Sequence, residues 1–107
     1  IIDGDHNKIY DLGFINSRGD SILVRGESNI IEGNQIFTSP AYGIHIVPNA
    51  NYNTIRNNKI CGHTLDGIYI DSAYYNVIEQ NQVGIRPFYI PTVPRNSGNG
   101  ITQVGGA

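Results

Sequence analysis

Apolar residues in this chain fall at every second position in short bursts, and the bursts return in register every 22 to 24 residues. The first burst of each round follows an asparagine: Asn7-Lys8-Ile9, Asn29-Ile30-Ile31, Asn53-Thr54-Ile55 and Asn76-Val77-Ile78. Five residues later comes a second N-x-[IV] unit, as Asn34-Gln35-Ile36, Asn58-Lys59-Ile60 and Asn81-Gln82-Val83, with Leu12-Gly13-Phe14 in its place in the first round. Nine residues beyond that unit stands a third: Ser21-Ile22-Leu23-Val24, Gly43-Ile44-His45-Ile46 and Gly67-Ile68-Tyr69-Ile70. Alternation with period two marks a strand that turns one face inward. Repetition at a fixed period marks a solenoid.

Three short strands per round with sharp turns between them describe one triangular coil of a parallel β-helix. The spacing therefore predicts an all-β, single-stranded parallel β-helix of about four coils, occupying residues 1–107 as one domain. Successive coils would stack at about 4.8 Å, the ordinary strand separation. Ile9, Ile31, Ile55 and Ile78 then form one inward stack. Phe14, Ile36, Ile60 and Val83 form a second, and Ile22/Val24, Ile44/Ile46 and Ile68/Ile70 form the third.

Composition agrees. The chain holds 18 Ile, 13 Asn and 13 Gly but 3 Leu and no Met. β-Branched residues favour strands, whereas Leu, Ala and Met are the fabric of helices. A helical bundle is excluded. The asparagines have an architectural use at the corners. Asn tolerates the left-handed backbone conformation, and its amide can bond to the equivalent residue one coil away. Asn7, Asn29, Asn53 and Asn76 are expected to form one such ladder, and Asn34, Asn58 and Asn81 another. Tyr52 and Tyr75 precede successive ladder residues and are expected to stack on the outside of a turn.

This cadence resembles the repeat of the right-handed parallel β-helix superfamily, which includes NosD-like periplasmic proteins, mannuronan epimerases, pectate-lyase-like enzymes and phage tailspikes. The resemblance is strong over residues 7–83. It implies a right-handed coil, an association with carbohydrate, and an extracellular, cell-surface or periplasmic location. The NosD likeness carries a copper-associated name, for which the chain offers no Met or paired-Cys ligand set.

The cadence stops after Val83. Residues 85–97 hold three of the five prolines and read as a loop excursion before Asn99-Gly100-Ile101 resumes the third element. Such a loop can blunt an exposed strand edge, and Phe88 and Tyr89 on it are candidates for stacking against a sugar. The chain opens and closes almost directly in its repeat, without a polar cap. A fragment of a longer β-helix, or a unit stacking on copies of itself, is therefore expected. Its opening residues do not read as a signal peptide.

The remaining features narrow the chemistry. A net charge of −2 gives no electrostatic footprint for nucleic acid, and no apolar run is long enough to span a bilayer. Cys61 stands alone, so no disulfide forms within the chain. It aligns with Phe37 and Ile15, which makes it a small side chain in an apolar column. Arg18-Gly19-Asp20 falls between strands and reads as a turn.

One outward column is Leu23, His45, Tyr69, flanked by Asp20, Tyr42, Asp66 and by Arg25, Val47, Asp71. This gathers His45, Tyr69, Asp66 and Asp71 as candidate acid–base groups for work on a uronic acid ring, with His63 beside them as a candidate substrate contact. The Asp-Pro-His-Asp type motif of mannuronan epimerases is absent, as is a pectate-lyase-like set of calcium carboxylates beside an arginine. No fixed ligand spacing joins His45, His63, Asp66 and Asp71, so no metal or cofactor is expected. Two functions follow. One is a non-catalytic module that binds extracellular polysaccharide or assembles end to end. The alternative is a fragment of a lyase, epimerase or hydrolase acting on acidic polysaccharide through an outer sheet face.

Overall fold

A computed structural model of the chain describes residues 1–84, 98 and 100–105. The first coil comprises β1 (Lys8–Tyr10), β2 (Gly13–Ile15) and β3 (Ile22–Val24). The second comprises β4 (Ile30–Glu32), β5 (Gln35–Ser39) and β6 (Ile44–Ile46), and the third β7 (Thr54–Arg56), β8 (Lys59–His63) and β9 (Ile68–Asp71). β10 (Val77–Glu79), β11 (Gln82–Val83) and β12 (Ile101–Val104) begin a further round. Every strand pairs in parallel with its counterpart one coil away, giving three sheets ordered β1-β4-β7-β10, β2-β5-β8-β11 and β3-β6-β9-β12. The winding amounts to about three turns rather than the four coils expected. Four occurrences of a motif bound only three complete intervals. The excursion over residues 85–97, with Phe88 and Tyr89, lies outside the described residues.

Register follows the hydrophobic pattern. Ile31 pairs with Ile9 and Ile55, and Ile55 with Ile78. Ile36 likewise pairs with Phe14 and Ile60, and Ile60 with Val83. A slip of one residue would turn each of these stacks out to solvent. Within the middle coils the stacked isoleucines are fully buried, whereas Ile9, Phe14, Ile78 and Val83 at the ends are only partly covered. Ile2 adds a contact beyond the twelve strands. It bridges Val24 at the edge of the third sheet, donating its N–H to Leu23 and accepting from Arg25. Its separation from Val24 is the repeat period, so the same arithmetic that located the other elements could have located it.

Both asparagine ladders form, by different bonds. In the first, the side-chain oxygen of each residue accepts from the backbone N–H of the asparagine one coil earlier: Asn29 from Asn7 (2.7 Å), Asn53 from Asn29 (2.9 Å) and Asn76 from Asn53 (2.8 Å). In the second, Asn58 accepts from the Asn34 backbone at 2.9 Å and from the Asn34 amide at 3.1 Å, and Asn81 accepts from both groups of Asn58.

The backbone at the corners differs from expectation. The ladder asparagines are not the left-handed residues; the residue before each of them is. His6, Ser28, Tyr52 and Tyr75 have φ of 56 to 59° ahead of the first ladder. Gly33, Asn57 and Gln80 have φ of 55 to 70° ahead of the second. The left-handed step turns the chain, and the asparagine after it points its amide inward to satisfy the buried backbone. Five of these seven residues are neither glycine nor asparagine, so the conformation costs about 1–2 kcal/mol at each of the five. An intercoil bond from the same residue's N–H offsets part of that cost, as in Ser28 to Asn51 (3.1 Å) and Tyr52 to Tyr74 (3.2 Å). Tyr52 and Tyr75 stack as expected, with centroids 5.2 Å apart and planes 12° from parallel.

Candidate functional site

The outer side of the third sheet gathers the chemically capable side chains. β6 and β9 pair His45 with Tyr69, and β3 places Leu23 beside His45. The turns entering these strands stack as well. Ser21 donates its N–H to Tyr42, and Gly43 donates to Asp66, which aligns Asp20, Tyr42 and Asp66 down the column. Gly43 leaves no room for a side chain: a Cβ there would lie 2.5 Å from the Gly67 carbonyl oxygen and 2.6 Å from Ile60. The tight entry to β6 therefore fixes where Tyr42 stands.

Four groups interlock on this face. The Tyr42 and Tyr69 rings stack with centroids 4.5 Å apart and planes 19° from parallel. His45 meets Tyr69 edge-on at 5.4 Å and Tyr42 at 4.9 Å. Its Nδ1 lies 3.0 Å from the Asp20 carboxylate. An ionised carboxylate only accepts, so Nδ1 carries the proton. The other Asp20 oxygen accepts the Tyr42 N–H at 3.0 Å. Asp20 thus holds both the imidazole and the turn that presents the stack. Partial burial, followed by the charges of Tyr69, Asp66, Asp20 and Asp71, pushes the Tyr42 phenol above its ordinary value. It remains a neutral O–H donor beside three carboxylates.

Of the residues expected to act together, His45 and Tyr69 are joined directly. Asp66 and Asp71 lie near enough to act electrostatically on Tyr42, and Asp71 accepts the Ser72 hydroxyl at 2.9 Å. His63 is a correction. It is 1 % exposed and turns inward, with Nε2 3.1 Å from the Ile36 carbonyl and Nδ1 2.7 Å from the Ser39 hydroxyl. Gly62 carries φ of 82°. That left-handed step breaks the strand alternation that would have sent the next side chain outward. Burial lowers the His63 pKa, so the ring is neutral and buried rather than a contact for substrate. Cys61 is buried and pairs across the sheet with Phe37, in the apolar column expected. Asp20 and Tyr42 were legible only as neighbouring columns. Their roles as holder and stacking partner came from three-dimensional contact.

The architecture defines the class: a parallel β-solenoid with an aliphatic interior buried in its middle coils and an aromatic, carboxylate-lined outer face. A family model described as "Periplasmic copper-binding protein (NosD)" matches residues 1–102, and the chain belongs to that family. No curated protein and no solved structure matches the chain. Among the described residues no three His, Cys, Asp or Glu side chains converge to hold a metal ion. The residues present do not fit the copper of the family description.

Proposed function

We propose that the chain is a non-catalytic β-helix module, working in the periplasm or outside the cell, that binds polysaccharide on the outer face of the third sheet. The observation that carries this reading is the Tyr42–Tyr69 stack held beside the His45–Asp20 pair. Flat aromatic surface packs against the C–H face of a sugar, while carboxylates and a neutral phenol hydrogen-bond its hydroxyls. A periplasmic setting accords with the family description, and no helix among the described residues is long and apolar enough to cross a membrane.

Affinity electrophoresis through gels containing alginate, pectate or a glycosaminoglycan tests the reading. Retardation is expected with at least one polymer, weakened about tenfold in Tyr69→Ala, the loss equivalent to one aromatic contact. Absence of retardation in every gel overturns it. Unsaturated product or proton exchange that His45→Ala or Tyr69→Phe abolishes would instead make the same face a lyase or epimerase site.

End-to-end assembly is a second reading, favoured by the exposed end of the first coil. β1 and β2 are edge strands there, and Ile1, Ile2, Ile9, Phe14, Ser21 and Ile22 line a hollow open to that end. A coil from a second copy would fill the hollow and extend the sheets. Light scattering across a concentration series separates a growing column from a monomer that stays monomeric.

A further inference from the structure

We infer that this chain contributes no copper site of its own, although its family is described by copper binding. Copper is drawn to imidazole, thiolate and thioether donors. The whole sequence supplies three His, one Cys and no Met, and all four such residues fall among those described. Each has a place that disfavours copper. His63 is 1 % exposed and both its ring nitrogens are engaged, one by the Ile36 carbonyl and one by the Ser39 hydroxyl. Coordination there would displace the hydrogen bond of the nitrogen it used and carry a charge into the interior.

Cys61 has no exposed surface and sits against Phe37, whereas a thiol ligand must ionise before it binds. His45 spends its Nδ1 proton on Asp20, the usual arrangement for orienting a metal-bound imidazole. Its ring neighbours, however, are Tyr42 and Tyr69 rather than further soft donors. His6 is exposed at a left-handed corner ahead of β1. A single surface imidazole holds copper only weakly. The repeat bears on the pattern: histidines at equivalent positions of successive coils would stack into a ready ligand set. Here His6, His45 and His63 occupy three different columns.

Anaerobic titration of the reduced protein with Cu(I) against a chromophoric chelator, and titration with Cu(II) followed by electron paramagnetic resonance, tests the inference. The chelator is expected to keep its Cu(I). The Cu(II) spectrum is expected to show only weak surface binding that His6→Ala removes, with no change in the urea unfolding midpoint. Withdrawal of one equivalent from the chelator, retained in His6→Ala, would overturn it. The same holds for a copper-dependent rise in the unfolding midpoint of the His6→Ala protein. Parallel His45→Gln and Cys61→Ser variants, checked for native circular dichroism, would then show which donor was misjudged.

Discussion

Asn53 illustrates how much of this fold rests on single polar side chains. Its oxygen accepts from the Asn29 backbone, and its amide donates to the carbonyls of Gly26 and Ala50 at 3.1 Å each. Three backbone groups bond to one buried side chain. Asn53→Ala is expected to cost about 3 kcal/mol, since stranded buried polar groups carry most of their desolvation penalty. Asn7, exposed on the first coil, is expected to cost well under that when changed to alanine. Urea denaturation of the two variants measures the difference, and equal costs would refute the ladder as a stabilising device. The asparagine pattern was visible in the sequence because its period is. Which residue of each corner bears the left-handed backbone was not, because His6, Ser28, Tyr52 and Gln80 share no side-chain chemistry. What they share is a backbone requirement.

At the scale of the element, β8 departs most from a plain strand. Ile60 takes its place in the inward stack, but burial does not alternate beyond it: Cys61, Gly62 and His63 are all covered, and the left-handed step at Gly62 accompanies the burial of His63 beside Ser39 of β5. The Ser39 oxygen lies 3.2 Å from the Tyr42 carbonyl as well, and its one proton is shared between that carbonyl and His63 Nδ1, so the pair sits directly beneath the turn that presents the outer aromatic stack. Burial lowers the His63 pKa in the folded chain. In the unfolded chain an ordinary histidine titrates near 6.5. Between that value and the lower folded one the unfolded state binds the extra proton, so stability is retained above about pH 6.5 and falls as the pH drops below it. Asp3 and Glu32, each lowered first by its bond to Arg25 or Arg56, lose their contributions only in the more acidic carboxylate range. A urea midpoint that declines between pH 7 and pH 5, with the decline reduced in His63→Gln, is the expected result. A flat profile over that window would show the imidazole to be already charged or accessible. The inward place of Ile60 in β8 was readable in advance. The inward turn of His63 was not, because period-two reasoning assumes an unbroken strand.

The molecule as a whole behaves as a column in which each coil touches only its neighbours. Stability in such a column is close to a sum over coils and the interfaces between them. Ile55 is buried between Ile31 and Ile78, whereas Ile9 has a neighbour on one side only. Ile55→Ala is expected to cost about 4 kcal/mol, toward the upper part of the range for large-to-small core changes, and Ile9→Ala about 1–2 kcal/mol because part of its surface is already wet. Hydrogen exchange should follow the same gradient, with the amides of β7 and β8 slower than those of β1 and β2. Uniform costs and uniform exchange would mean that the ends are as well covered as the middle.

The sequence by itself determined the class of fold, the register of the strands and the identity of the inward stacks. A period of 22 to 24 residues leaves one way to superpose the apolar positions, and a one-residue slip would expose them all. Only the tertiary structure decided the site. Asp20, His45, Tyr42 and Tyr69 lie on three coils, and whether neighbouring columns touch depends on rotamers and on the tight entry at Gly43. Only the tertiary structure, too, removed His63 from that face. Backbone hydrogen bonding between coils is periodic and therefore legible along the chain. Side-chain contact across columns is set by local geometry that no period encodes.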